Sequence, residues 1–218
     1  MTYDELMRQL IERQALIVHC SRPGKNDDGQ SYGDLCGDDL LFPSDLRNAI
    51  TAVDGAGELS CSVIWPDHLK TYGAVGIVLR PRSTGSVRSI SPIDAGSSWD
   101  EATRKRTGSG VPFSAEAVAG TFANAIDYNE WVIADAECIG IFVHPTERLE
   151  VAARVQMADV EGFDPSMMMD IGSTVGPVTI DLGVIRRAFP DLPIFTYQDG
   201  GVRRIGDGLA SPYSNPSV

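Results

Sequence analysis

Residues 15–19 read ALIVH and are followed by Cys20 and Ser21, so an imidazole, a thiol and a hydroxyl stand together where an apolar run ends. More than a hundred residues on, Glu130 lies inside YNEWVIAD, a short alternating segment that would hold a carboxylate rigidly. An imidazole can exchange hydrogen bonds and protons near neutral pH, and a fixed carboxylate can stabilise positive charge that develops in a substrate. A histidine closing a buried strand is by itself more often a structural hydrogen-bonding group, so His19 gains chemical meaning only with partners. Other chemistries lack their spacing. His68 and His144 with Asp67 and Glu147 form no H-x-x-x-H or H-E-x-x-H pattern, and Cys20, Cys36, Cys61 and Cys138 form no CxxC pair, so no metal site is expected. The cysteines read as reduced, partly buried thiols. GxSxG, GxxxxGK[ST] and GxGxxG are absent, which removes the usual hydrolase, P-loop and Rossmann signatures.

The elements that must position these residues follow from pattern. Thr2 with Glu5 makes a capping box, and Tyr3, Leu6 and Leu10 recur at helical spacing, which predicts an amphipathic helix over about 2–14. It leads into the strand 15–19, apolar enough to be covered on both faces. Residues 22–39 read as a loop. Ser44 starts a helix to about Val53, and LSCSVIW at 59–65 is a strand. Pro66 opens a short helix ending near Tyr72, and strands follow at 74–80 and 87–93. Ser114 caps a helix to about Ala125, and two adjacent strands fit 128–135 and 139–143. Pro145 starts a helix to about Asp159, another helix falls near 182–188, and PIFTY and VRRI flank the turn Asp199, Gly200, Gly201.

With 18 basic and 30 acidic side chains the 218-residue chain carries a formal charge of −12. Such a surface repels phosphate backbones and forgoes counterion release, so a protein or small-molecule partner is favoured over nucleic acid. The run Arg104, Lys105, Arg106 reads as solvated loop charge. A chain this long buries about 70% of its unfolded surface, enough for a core without staples. Its 22 glycines and 13 prolines favour short elements and many turns, hence an α+β or mostly β body. The start MTYDELMRQLIERQ lacks a basic region followed by an apolar run, and no apolar stretch approaches the ~18 residues of a membrane span, so the expectation is a cytoplasmic chain with no membrane segment.

Three segments in order, LIVHCSR at 16–22, SCSVIWPDHLKTYGAVGIVL at 60–79 and YNEWVIAD at 128–135, together resemble the ADP-ribosyltransferase superfamily. The first is similar to the His-Gly-Ser/Thr strand of the diphtheria-toxin and poly(ADP-ribose) polymerase branch. The last is similar to the strand carrying those polymerases' essential glutamate. SCSVIWP with the following YG-x-x-G-I resembles bacterial toxin and phage-defence relatives. The resemblance implies an α+β fold built on a split, mostly antiparallel sheet with flanking helices, which binds NAD as a substrate. It divides the chain into an NAD-binding domain over 1–145, a C-terminal annex over 146–206 and a flexible tail over 207–218.

The same resemblance implies roles. Glu130 would be catalytic, His19 would hydrogen-bond the adenosine ribose, and Ser21 would support the nicotinamide or its ribose. The backbone of Cys20 would meet the nicotinamide carboxamide, where the family usually has glycine. Tyr72, or else Tyr32, would stack on the nicotinamide ring, with Tyr72 favoured by family position. Ser62 lines the site if Cys61 points into the core, because strand neighbours face opposite ways. Trp65 and Trp131 read as core or rim aromatics, and Met167, Met168 and Met169 as adaptable packing or a partner surface. The implied activity is transfer of ADP-ribose from NAD to an acceptor. Such domains are often toxins or effectors, delivered into a host or target cell and held by an antitoxin or directed at a host protein. An NAD glycohydrolase and a non-catalytic acidic binding or immunity module are the alternatives.

Overall fold

The structure, a computed structural model, describes residues 1–20, 42–55, 57–71, 73–93, 99–100, 105–106, 110–124, 128–145, 182–206 and 212–213. Helix α1 (Tyr3–Glu12) opens the chain as its capping box predicts. Thr2 Oγ1 accepts from the Glu5 amide at 3.2 Å, and Glu5 Oε2 accepts from the Thr2 amide at 2.7 Å. Its Leu6, Met7 and Leu10 are buried. Gln14, at φ 50°, ends the helical course and turns the chain into β1 (Leu16–Cys20). That left-handed conformation costs a non-glycine residue about 1 kcal/mol. It is held by tertiary bonds: Gln14 Oε1 accepts from the Val202 amide at 2.9 Å and its carbonyl accepts from the Tyr197 hydroxyl at 2.7 Å.

After α2 (Phe42–Asp54) come β2 (Leu59–Ile64), β3 (Val75–Pro81), β4 (Val87–Ser91), the short pair β5 (Trp99–Asp100) and β6 (Lys105–Arg106), and α3 (Ala115–Ala123) capped by Ser114. Strands β7 (Glu130–Ile133) and β8 (Ala136–Val143), helix α4 (Leu182–Ala188), and strands β9 (Ile194–Gln198) and β10 (Gly201–Arg204) complete the described elements. Eight strands form one sheet in the order β10-β9-β8-β3-β1-β2-β7-β4, antiparallel throughout except for the β8–β9 pair. The class is therefore α+β with a mostly antiparallel sheet. β1 lies between β3 and β2, and its Leu16, Ile17, Val18 and Cys20 are all buried, as suits an apolar run covered on both faces and interrupted only by His19.

Several expectations are corrected. Residues 66–72 begin with a tight turn, not a helix: Trp65 and His68 exchange both backbone hydrogen bonds at 3.1 and 2.8 Å, and their rings stack with centroids 4.2 Å apart. Pro66 fits the first corner of that turn as well as it fits a helix start. α2 begins at Phe42, ahead of Ser44. The consecutive strands β7 and β8 are not sheet neighbours, since β2, β1 and β3 lie between them. Asp135, at φ 47°, makes the break that sends the chain from one part of the sheet to the other. The helix expected over 145–159 falls almost entirely outside the described residues.

β9 and β10 extend the main sheet through β8, joined by the turn at Asp199 (φ 51°) and Gly200 (φ 75°), whose two positive φ values suit a twisted hairpin. Tyr213, in the stretch expected to be a flexible tail, is buried. Its hydroxyl accepts from the Ile17 amide at 2.8 Å and donates to the Leu79 carbonyl at 3.1 Å, bridging the paired residues of β1 and β3.

Candidate functional site

β1 and β2 pair from Leu16↔Ile64 to Val18↔Ser62, whereas β1 stays paired with β3 as far as Cys20↔Gly76. The β1–β2 ladder thus ends two residues before β1 does. Where the next exchange would involve Ser60, its carbonyl instead accepts from His19 Nδ1 at 2.7 Å. A carbonyl only accepts, so this bond places a hydrogen on Nδ1 and makes Nε2 the accepting nitrogen of the neutral ring. β3 supports the arrangement from the other side through Gly76, where a Cβ would come 2.6 Å from the His19 carbonyl oxygen.

The side chain of Ser60 turns to the other strand. Its Oγ donates to Glu130 Oε1 at 2.7 Å, a charge-assisted bond that fixes the carboxylate at the start of β7. Ser60 pairs with Val132 and Ser62 with Val18, so by pleat alternation Ser60, Ser62 and Glu130 share one side of the sheet. The same alternation turns His19 to the other side, so the imidazole does not share one face of the sheet with Glu130, contrary to the convergence on a single cleft that the resemblance leads one to expect. The imidazole and the carboxylate therefore meet Ser60 from two directions, one at its main chain and one at its hydroxyl, where β1 and β2 part. His19, Ser60 and Glu130 are each half-buried, open enough to touch a ligand and enclosed enough to hold geometry.

The other expected site residues are placed unequally. Ser62 is buried at 4% exposure, beneath the surface of the side it shares with Glu130. Cys20 is also buried, and burial pushes its thiol up to about 12, against hydrogen bonding from the Gly73 backbone and the Thr71 side chain. Thr71 and Gly73 flank Tyr72, and the Thr71 hydroxyl donates to the Gly73 carbonyl at 2.8 Å. Thr71 and Gly73 thus lie against the residue that follows His19. Tyr72 itself, Ser21 and Tyr32 lie outside the described residues. Burial also raises the Cys61 thiol well above its ordinary value, reinforced by Cys20 and Glu130 nearby.

No family model, curated protein or solved structure matches this chain. Among the described residues no group of three histidine, cysteine or acidic side chains could hold a metal ion, and no helix is long and apolar enough to cross a membrane. His144 is engaged by two carbonyls, those of Pro145 at 2.9 Å and Leu69 at 3.0 Å. Trp131 is fully buried, its Nε1 donating to Thr121 Oγ1 at 3.0 Å.

Two residues of the site escaped the sequence reading. Ser60 was legible in principle, since in Ser60-Cys61-Ser62 both serines fall on one face once Cys61 points inward. Nothing in that pattern distinguishes the half-buried serine that reaches Glu130 from the buried one. Asn129 precedes Glu130 in the motif, and its role depends on where β7 leaves β2, which the sequence does not reveal.

Proposed function

We propose that the chain is an NAD-dependent ADP-ribosyltransferase, with Glu130 as its catalytic carboxylate. The observation that carries this reading is the Ser60–Glu130 bond beside the His19–Ser60 bond at the parting of β1 and β2. Breaking the bond between nicotinamide and ribose develops positive charge on the sugar. A carboxylate fixed against a ribose hydroxyl stabilises that oxocarbenium-like transition state more than the ground state, and Ser60 holds Glu130 so that little reorganisation is needed. A dinucleotide on the side that Glu130 shares with Ser60 would meet the carboxylate with its nicotinamide ribose, while His19, turned to the other side, would act through the Ser60 carbonyl that it holds. Tyr72, next to the residues docked on Cys20, would supply the ring that stacks on nicotinamide. The −12 charge favours a protein or small molecule as the acceptor.

The test is incubation of the purified chain with NAD while free nicotinamide and free ADP-ribose are followed. Nicotinamide release only with an added acceptor identifies a transferase. Release of both products without an acceptor identifies a glycohydrolase at the same site. Absence of release with protein and small-molecule acceptors alike contradicts the enzymatic reading and favours a binding module.

A further inference from the structure

We infer that Asn129 is a positioning residue that sets the place and direction of Glu130 by completing the β2–β7 ladder with its side chain. The register Leu59↔Ile133, Ser60↔Val132, Cys61↔Trp131 would continue to Val63↔Asn129. In an antiparallel pair the residues that exchange both backbone bonds alternate, so after Cys61 the next β2 residue to face β7 is Val63. The backbone of residue 129 does not make that exchange. Its carboxamide does: Oδ1 accepts from the Val63 amide at 2.8 Å, and Nδ2 donates to the Val63 carbonyl at 2.7 Å.

The consequence is geometric. The main chain stands off from β2 by the length of a side chain at 129 and joins the ladder only after it, so Glu130 occupies the first position of β7. On its other side Glu130 pairs with Ser91 of β4. The carboxylate that reaches Ser60 Oγ is therefore aimed from a strand end pinned on both flanks. Asn129 is wholly buried at 0% exposure, so an unanswered Val63 amide or carbonyl would have no solvent to turn to. Only a primary carboxamide presents one acceptor and one donor in the plane that the backbone would have used. Aspartate lacks the donor, serine lacks the reach, and leucine lacks both groups.

The assignment rests on the transferase reading for its catalytic consequence, but not for its structural one, and the experiment separates the two. Asn129→Ser admits water to answer Val63, and Asn129→Gln keeps both amide functions one methylene further out. Both are compared with wild type by thermal melt, by kcat and KM for nicotinamide release well below the melting temperature, and by crystal structure. The expected result is a folded Asn129→Ser variant with kcat lowered about tenfold or more and KM within about threefold, and with Glu130 no longer on Ser60 Oγ. Asn129→Gln is expected to recover most of the kcat. A folded Asn129→Ser variant with wild-type kcat, or with the Ser60–Glu130 bond intact, overturns the assignment. Should Asn129→Ser not fold, Asn129→Gln decides by structure and rate together: a kcat that is kept or lost with the Ser60–Glu130 bond supports the assignment, and a folded Asn129→Gln that loses its Val63 bonds yet keeps the Ser60–Glu130 bond and wild-type kcat overturns it. If wild type releases no nicotinamide, the transferase reading fails, and the variant crystal structures still decide whether Asn129 aims Glu130 at Ser60.

Discussion

Ser60 donates its hydroxyl to Glu130 at 2.7 Å across neighbouring strands β2 and β7, while its carbonyl accepts from His19 on β1. One small residue thereby couples two groups that the sequence separates by more than a hundred positions. Ser60→Ala removes the hydroxyl and leaves the strand backbone intact. Because Ser60 is half-buried, stability is expected to change by no more than about 1 kcal/mol. Nicotinamide release is expected to fall by about tenfold, the value of one charge-assisted bond that keeps the carboxylate in place. Ser60→Thr retains the hydroxyl and should recover most of the rate. Steady-state assays beside thermal melts check this, and an undiminished rate in Ser60→Ala would remove Ser60 from the site.

Tyr213 makes a prediction about stability that is independent of function. Its hydroxyl answers both the Ile17 amide and the Leu79 carbonyl in the buried centre of the sheet. Tyr213→Phe keeps the ring and leaves those two groups without their partner, which costs roughly 2 kcal/mol. For a chain of this size the melting temperature should drop by about 4–8 °C. A Tyr213→Phe melt within 1 °C of wild type would show, at about that precision, that the hydroxyl pins nothing.

The buried thiol of Cys20 and the half-buried thiol of Cys138 give the folded state an alkaline limit. The thiol of Cys20 is pushed up to about 12 and that of Cys138 to about 11, both by burial, from an ordinary value of 9.0. Between those values the unfolded thiol has lost its proton and the folded one has kept it, so the native state binds more protons. Stability is therefore full below about pH 9 and falls as pH rises towards the folded values, by up to about 1.4 kcal/mol per pH unit for each such thiol. The raised phenols of Tyr197 and Tyr213 act in the same direction at higher pH. Urea midpoints at pH 8 and pH 10 should show the decline, and Cys20→Ala should reduce it. A decline of the same size in Cys20→Ala would mean that Cys20 ionises alike in both states.

The framework was legible wherever local chemistry dictated structure. The Thr2–Glu5 capping box, the apolar ALIVH run, the Ser114 cap and the Asp199-Gly200 turn each have one dominant physical solution, and the structure adopts it. Pro66 was misread because its fixed φ serves a turn and a helix start equally, and the Trp65–His68 stacking that accompanies the turn is a tertiary contact. The separation of β7 from β8 was hidden because alternation describes a strand's faces and says nothing of its neighbours. At the site, His19 and Glu130 were singled out by the resemblance of the segments that carry them, and the structure brings both to Ser60. Ser60 itself was not singled out, because half of what it contributes is a main-chain carbonyl, which every residue has.

Whether the carboxylate held by Ser60 performs the chemistry is decided by the nicotinamide-release rate of Glu130→Gln set against wild type, with thermal melts of both. The substitution is nearly isosteric at a half-buried position, so melting is expected to change by no more than about 1 kcal/mol in stability. Loss of the negative charge that meets the developing cation is expected to lower the rate by about a hundredfold or more, with NAD affinity changed far less. A variant that melts like wild type and releases nicotinamide at a comparable rate would show that Glu130 is not the catalytic carboxylate.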